Sequence, residues 1–135
     1  MPAHFKEVDP EHPAWVTFIC NDESTTRSGD SYEECIALAD AYPCVAAVGV
    51  NCVPFNLVIP LLEKARTKTE KHLIVYPNSG EIWDAREGQR RWYGEGSDLH
   101  GSHARSMADA GASIIGGCCR VTSDQISRFR KKLCC

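Results

Sequence analysis

The chain has 135 residues, 43% of them hydrophobic and 24% charged, proportions ordinary for one soluble globular domain. A net charge of −3, with no basic stripe interleaved with aromatics, gives no reason to invoke nucleic acid. No apolar run reaches the 18 or so residues that span a bilayer, and the amino terminus lacks an apolar signal core. Eight cysteines in that setting point to a reducing, cytoplasmic compartment where thiols bind metal or stay free.

Residues 1–13, rich in Pro, His and acids, read as a loop or a frayed end. Residues 14–20 are β-branched and aromatic, which suits a strand. A polar loop leads to Ser31, where Ser31-Tyr32-Glu33-Glu34 has the capping-box form that opens a helix. Cys35, Ile36, Leu38, Ala39 and Tyr42 give that helix an apolar face, and Pro43 stops it. Residues 44–50 form an unbroken apolar run of the kind buried on both faces of a parallel sheet. Residues 54–68 predict a second helix with Leu57, Val58, Leu61, Leu62 and Ala65 inward, bent in its first half by Pro60. Residues 72–76 predict a third strand, ended by Pro77-Asn78-Ser79-Gly80. The stretch 81–101 carries too many glycines and charges to predict a regular element. A helix over 103–109, a stop at Gly111, a strand over 112–115 and a helix over 123–132 complete the chain.

Four strands alternating with four helical segments predict an α/β fold with a parallel sheet and right-handed crossovers. The pattern alone leaves a closed barrel and an open sheet both standing. Either way, parallel α/β folds place their sites just past strand carboxyl ends.

Two such ends carry cysteine: Gly49-Val50-Asn51-Cys52, and Gly116-Gly117-Cys118-Cys119. A buried free cysteine is ordinarily a small hydrophobe, and Cys20, Cys35 and Cys44 read that way. Adjacent cysteines at one strand end, matched by a second strand ending in cysteine, are harder to explain by packing. No Cys-x-x-Cys occurs, so the spacing is that of a site assembled by tertiary structure. Zn²⁺ is the expected ion, held by Cys52, Cys118 and Cys119 with one position open. Gly116 and Gly117 are expected to let backbone and metal approach closely.

Gly49-Val50-Asn51-Cys52, Val75-Tyr76-Pro77-Asn78-Ser79-Gly80-Glu81 and Ile115-Gly116-Gly117-Cys118-Cys119-Arg120 resemble, in order and spacing, the signatures of the homocysteine S-methyltransferase family. The resemblance runs from about Pro13 to Leu133 and looks closer to the branch that uses S-methylmethionine or S-adenosylmethionine. It implies a zinc-dependent (β/α)8 barrel whose three cysteine ligands match Cys52, Cys118 and Cys119. The implied reaction passes a methyl group from a sulfonium donor to the thiol of homocysteine, giving methionine, without an organic cofactor. Asn51, Asn78 and Ser79 are substrate-binding candidates, with loop capping and turn chemistry as the alternative roles.

Such a barrel takes about 250 residues. On the resemblance, residues 1–135 are a partial homocysteine-binding domain, the carboxyl-terminal half with strands five to eight. The segment expected to grip the amino acid is then absent, and slow turnover or none is expected. The rival reading is a catalytically inactive, truncated zinc- and thiol-binding fragment. A half-barrel also exposes two sheet edges and an apolar face, so self-association or pairing is expected.

The remaining features are weighed individually. Trp83, Trp92 and Tyr93 suit either a lid or the packing of a long loop. His100 and His103 read as solvated loop residues before a metal pair. Cys134-Cys135 after Lys131-Lys132 resembles a prenylation signal, but no phosphate loop accompanies it, and no lipid or membrane attachment is expected.

Overall fold

The structure, a computed structural model, describes residues 12–84, 86, 91–96 and 98–134. Of the terminal loop expected over 1–13, only His12 and Pro13 are among the described residues, and Cys135 is outside them. The elements run β1 (Ala14–Phe18), α1 (Tyr32–Asp40), β2 (Val45–Asn51), α2 (Phe55–Arg66), β3 (His72–Tyr76), β4 (Ile82–Asp84), β5 (Arg91–Tyr93), α3 (Gly101–Asp109), β6 (Ala112–Ile115) and α4 (Ser123–Leu133).

The sheet has the order β1-β2-β3-β6 and all its pairs are parallel. Each of these strands is followed by one long helix, giving four successive βα units. This is the expected α/β architecture, half of a (β/α)8 wall. Alternation along the strands divides the side chains between two faces. On one, Val48, Val50, Leu73 and Val75 are fully buried with Ile36, Leu61, Leu62 and Met107 from the helices. On the other, Trp15, Ile74, Tyr76 and Ile114 line an open hollow of about 440 Å³. That hollow is the inner side of the wall, and Trp15 and Ile114 remain 64% and 43% exposed there.

Gly49 is required by close approach: a Cβ there would collide with the carbonyl oxygen of Ile74 on β3. Across this narrow point the Thr17 and Tyr76 hydroxyls hydrogen-bond at 2.8 Å.

Helix signals act much as the sequence predicts. The Ser31 hydroxyl accepts from the Glu34 N–H, and α1 ends ahead of Pro43. Thr122 and Gln125 form a full capping box on α4: the Gln125 side chain accepts from the Thr122 N–H at 2.7 Å, and the Thr122 hydroxyl accepts in return. α2 runs through Pro60 as one helix; burial of Val58, Leu61, Leu62 and Ala65 offsets the lost backbone bond. α3 starts two residues earlier than expected because the His103 ring accepts from the His100 N–H at 2.8 Å and closes the first turn.

The main difference lies in 81–101. β4 and β5 form an antiparallel hairpin with Trp83 opposite Trp92, ring centroids 5.3 Å apart. Three-residue strands are too short to show periodicity in sequence. Their pairing rests on this cross-strand contact, and the Asp84–Arg86 ion pair at 2.5 Å braces the residues just past β4.

Candidate metal centre

Cys52 follows β2, and Cys118 and Cys119 follow β6; β3 lies between these two strands. The continuation of β3 ties both cysteine loops down. Cys52 N–H donates to the Tyr76 carbonyl at 3.0 Å and Cys118 N–H to that of Pro77 at 2.8 Å. Asn78 N–H donates to the Val53 carbonyl at 3.0 Å, and Ser79 N–H to that of Cys119 at 3.1 Å. Four consecutive residues, Tyr76 to Ser79, therefore hold two strand ends in register. Cys52 and Arg120 occupy the left-handed backbone region, at φ 50° and 65°, a conformation that costs a residue with a Cβ about 1 kcal/mol.

This frame brings the three sulfurs within 4.8 Å of one another. Among the described residues, no other group of three or more His, Cys, Asp or Glu side chains is placed to hold a metal ion. The Cys118 and Cys119 sulfurs are 3.8 Å apart. Two thiolates bound at about 2.3 Å to a tetrahedral Zn²⁺ would stand about 3.8 Å apart, so this pair has the spacing of a ligand pair. Cys52 and Cys118 are joined as a disulfide, with Cα atoms 5.5 Å apart, where the sequence reading expects thiols. The cause is the same convergence: Cα atoms at this distance suit either a disulfide or shared coordination. Reduction restores two ligands beside the free, exposed Cys119.

Loop contacts engage the substrate-binding candidates. The Asn78 amide donates to the Cys52 carbonyl at 3.2 Å, and its oxygen accepts from the Gly80 N–H at 2.9 Å. Ser79 is buried and donates to Glu81 Oε2 at 2.9 Å. The same carboxylate oxygen accepts from Arg120 Nε at 3.0 Å. The Arg120 bond, and after it the Ser79 bond, hold the Glu81 carboxyl below its ordinary range. Asn51 closes β2, half-buried and opposite Tyr76. The Glu81–Arg120 brace went unseen in sequence, because no spacing rule pairs an acid and a base that far apart.

Gly117 departs from the expected role. A Cβ there would strike the Val121 side chain, with Val121 Cβ at 2.7 Å, so packing of the turn demands it. Gly116 has room, its nearest neighbour being Tyr76 Cβ at 3.5 Å.

A cavity of about 450 Å³ opens beside the sulfurs, with Cys52, Cys119, Asn78, Glu81, Trp83 and Trp92 in its wall. Tyr93 is exposed and lies outside that wall, since β5 alternates sides. Cys20 also reaches the cavity. Burial first, then the charges of Asp22 and Cys35, push its pKa up to about 11, so it stays a thiol. His103 packs edge-on against Phe55, and His100 lies 3.7 Å from Asp98; neither joins the sulfur cluster.

A parallel half-barrel wall with three cysteine sulfurs at its carboxyl edge, close enough together to hold a metal ion, points to the class of (β/α)8 proteins with a cysteine-lined site. Residues 2–133 match the family model for homocysteine S-methyltransferase, and the chain belongs to that family. It is 38% identical over 131 residues to homocysteine S-methyltransferase 2 of Arabidopsis thaliana, covering 95% of this chain and 39% of the relative. It is 40% identical over 124 residues to the selenocysteine Se-methyltransferase of Brassica oleracea var. italica, covering 90% and 35%. The metallated form of the homocysteine methyltransferase MmuM from Escherichia coli superposes with a TM-score of 0.73 at 29% identity, over 91% of this chain and 36% of that one. The chain thus spans well under half the length of these relatives.

Proposed function

We propose that the sulfur triad serves zinc-dependent transfer of a methyl group from a sulfonium donor, S-methylmethionine or S-adenosylmethionine, to the thiol of homocysteine, giving methionine. The observation that carries this reading is the convergence of Cys52, Cys118 and Cys119 within 4.8 Å at the carboxyl edge of the sheet. A zinc ion on these sulfurs would supply the positive charge that keeps an incoming thiol deprotonated near neutral pH. The chain's own residues do the positioning. Tyr76, Pro77 and Asn78 fix the backbone of Cys52 and Cys118, so the sulfurs converge without a search. Asn51, at the end of β2, together with Asn78 and Ser79 on the loop after β3, would contact the amino acid. The acceptor sulfur then displaces the donor sulfur at the methyl carbon, one S–C bond forming as the other breaks.

The reading also places the protein in the cytoplasm, where reducing conditions keep the triad as thiols. Among the described residues, no helix is long and apolar enough to cross a membrane. The open inner face with Trp15 and Ile114 supports self-association. Protein purified under reductant should carry about one zinc per chain. A Cys118→Ser, Cys119→Ser variant of unchanged circular dichroism should carry almost none. Equal metal in the two proteins would sink the assignment.

A further inference from the structure

The hairpin of β4 and β5 lies outside the βα repeat, yet it supplies two of the largest side chains in the wall of the sulfur cavity. Trp83 and Trp92 face each other across the hairpin with ring planes inclined by 54°. Rings so inclined do not cover one another, which leaves π surface for a third group. Trp83 is 46% exposed, an unusual state for a tryptophan that serves only as packing.

We propose that Trp83 and Trp92 form the subsite for the cationic centre of the methyl donor, an onium group held against the indoles beside Cys52 and Cys119. This rests on the methyl-transfer reading above and adds to it the residues that recognise the donor's charge. A sulfonium carries a full positive charge spread over the carbons around sulfur, and indole is the side chain whose face attracts such a cation best. The carboxylate in the wall, Glu81, is already committed to Arg120 and Ser79. With that carboxylate charge matched by Arg120, the ring faces offer a further partner for a cation on this side of the cavity. During transfer the acceptor thiolate's lone pair forms the new S–CH3 bond, and the bond from that carbon to the donor sulfur breaks. The electron pair stays on the donor, which departs as a neutral thioether. The attraction to the rings holds the reactant and weakens once the charge is gone, which favours release of the spent donor.

The test is calorimetric titration of the reduced, zinc-loaded chain with S-methylmethionine and with methionine, its neutral counterpart lacking one methyl. The expected result is a preference of about tenfold for the cation in the unmodified protein. A Trp83→Leu, Trp92→Leu variant should bring that preference to within about threefold, and Trp83→Phe, Trp92→Phe should keep most of it. Zinc content and circular dichroism confirm that each variant is folded. No charge preference in the unmodified protein, or an undiminished one in a folded leucine variant, overturns the proposal. Should the double leucine variant not fold, an undiminished preference in both folded single variants, Trp83→Leu and Trp92→Leu, would do so instead. Homocysteine uptake is read separately, from the thiolate absorption of cobalt-substituted protein. Its absence beside an intact onium preference would defeat the methyl-transfer reading and leave the cation subsite standing.

Discussion

Glu81 joins two loops that are distant in sequence, accepting from Ser79 in its own loop and from Arg120 beyond the paired cysteines. Its carboxyl is held below the ordinary range by the Arg120 bond first and the Ser79 bond second. A carboxyl whose pKa is lower folded than unfolded contributes stability above the unfolded pKa and loses it as pH falls through the folded one. The brace should therefore be intact at pH 7 and be lost progressively as pH falls below the ordinary carboxylate range. Melting curves of the protein and of Glu81→Gln should differ at pH 7 and converge under acid. A gap that does not narrow at all as pH falls below that range would mean that the charge on Glu81 is not what matters. The cysteine sulfurs depend on the same frame, so this variant should also bind zinc less tightly.

At the scale of elements, α2 shows how burial overrides a local defect. Pro60 sits within the helix, while Val58, Leu61, Leu62 and Ala65 are fully buried against the sheet. Leu62→Ala should cost about 3 kcal/mol in urea unfolding, from lost apolar transfer and the cavity left behind. A loss below about 1 kcal/mol would show that the site collapses around the smaller side chain. The α4 cap is a smaller contribution of a different kind, two reciprocal hydrogen bonds between Thr122 and Gln125. The hairpin of β4 and β5 is different again, since it adds nothing to the βα repeat and lines the cavity at the sulfurs.

For the whole molecule, the decisive feature is a sheet covered by helices on one side and open on the other. The open side carries Trp15 and Ile114 at 64% and 43% exposure. Contiguous apolar surface of this kind ordinarily marks an interface. The mean mass by light scattering should therefore rise with concentration, and Trp15→Ser with Ile114→Thr should lower it toward one chain. A monomer at every concentration would show that the face tolerates water. Methyl transfer also needs acceptor and donor held in line, and such positioning accounts for about 7–11 kcal/mol of a barrier.

The sequence by itself determined the four βα units, because the apolar runs at β2 and β3 and the cap at Ser31 are local signals of local structure. It also singled out Cys52, Cys118 and Cys119, because thiols at two strand ends must meet once those strands lie in one parallel sheet. Only the tertiary structure decided what holds them. The β3 loop bonds to both cysteine loops, Glu81 reaches Arg120, and Trp83 meets Trp92, through contacts between residues that carry no mutual spacing. Gly117 shows the same division: its composition suggested room for a metal, while the packing of Val121 is what excludes a Cβ. Periodicity reports which face of an element is buried. Which elements then touch is settled by the folded sheet, and the candidate centre is built from those contacts.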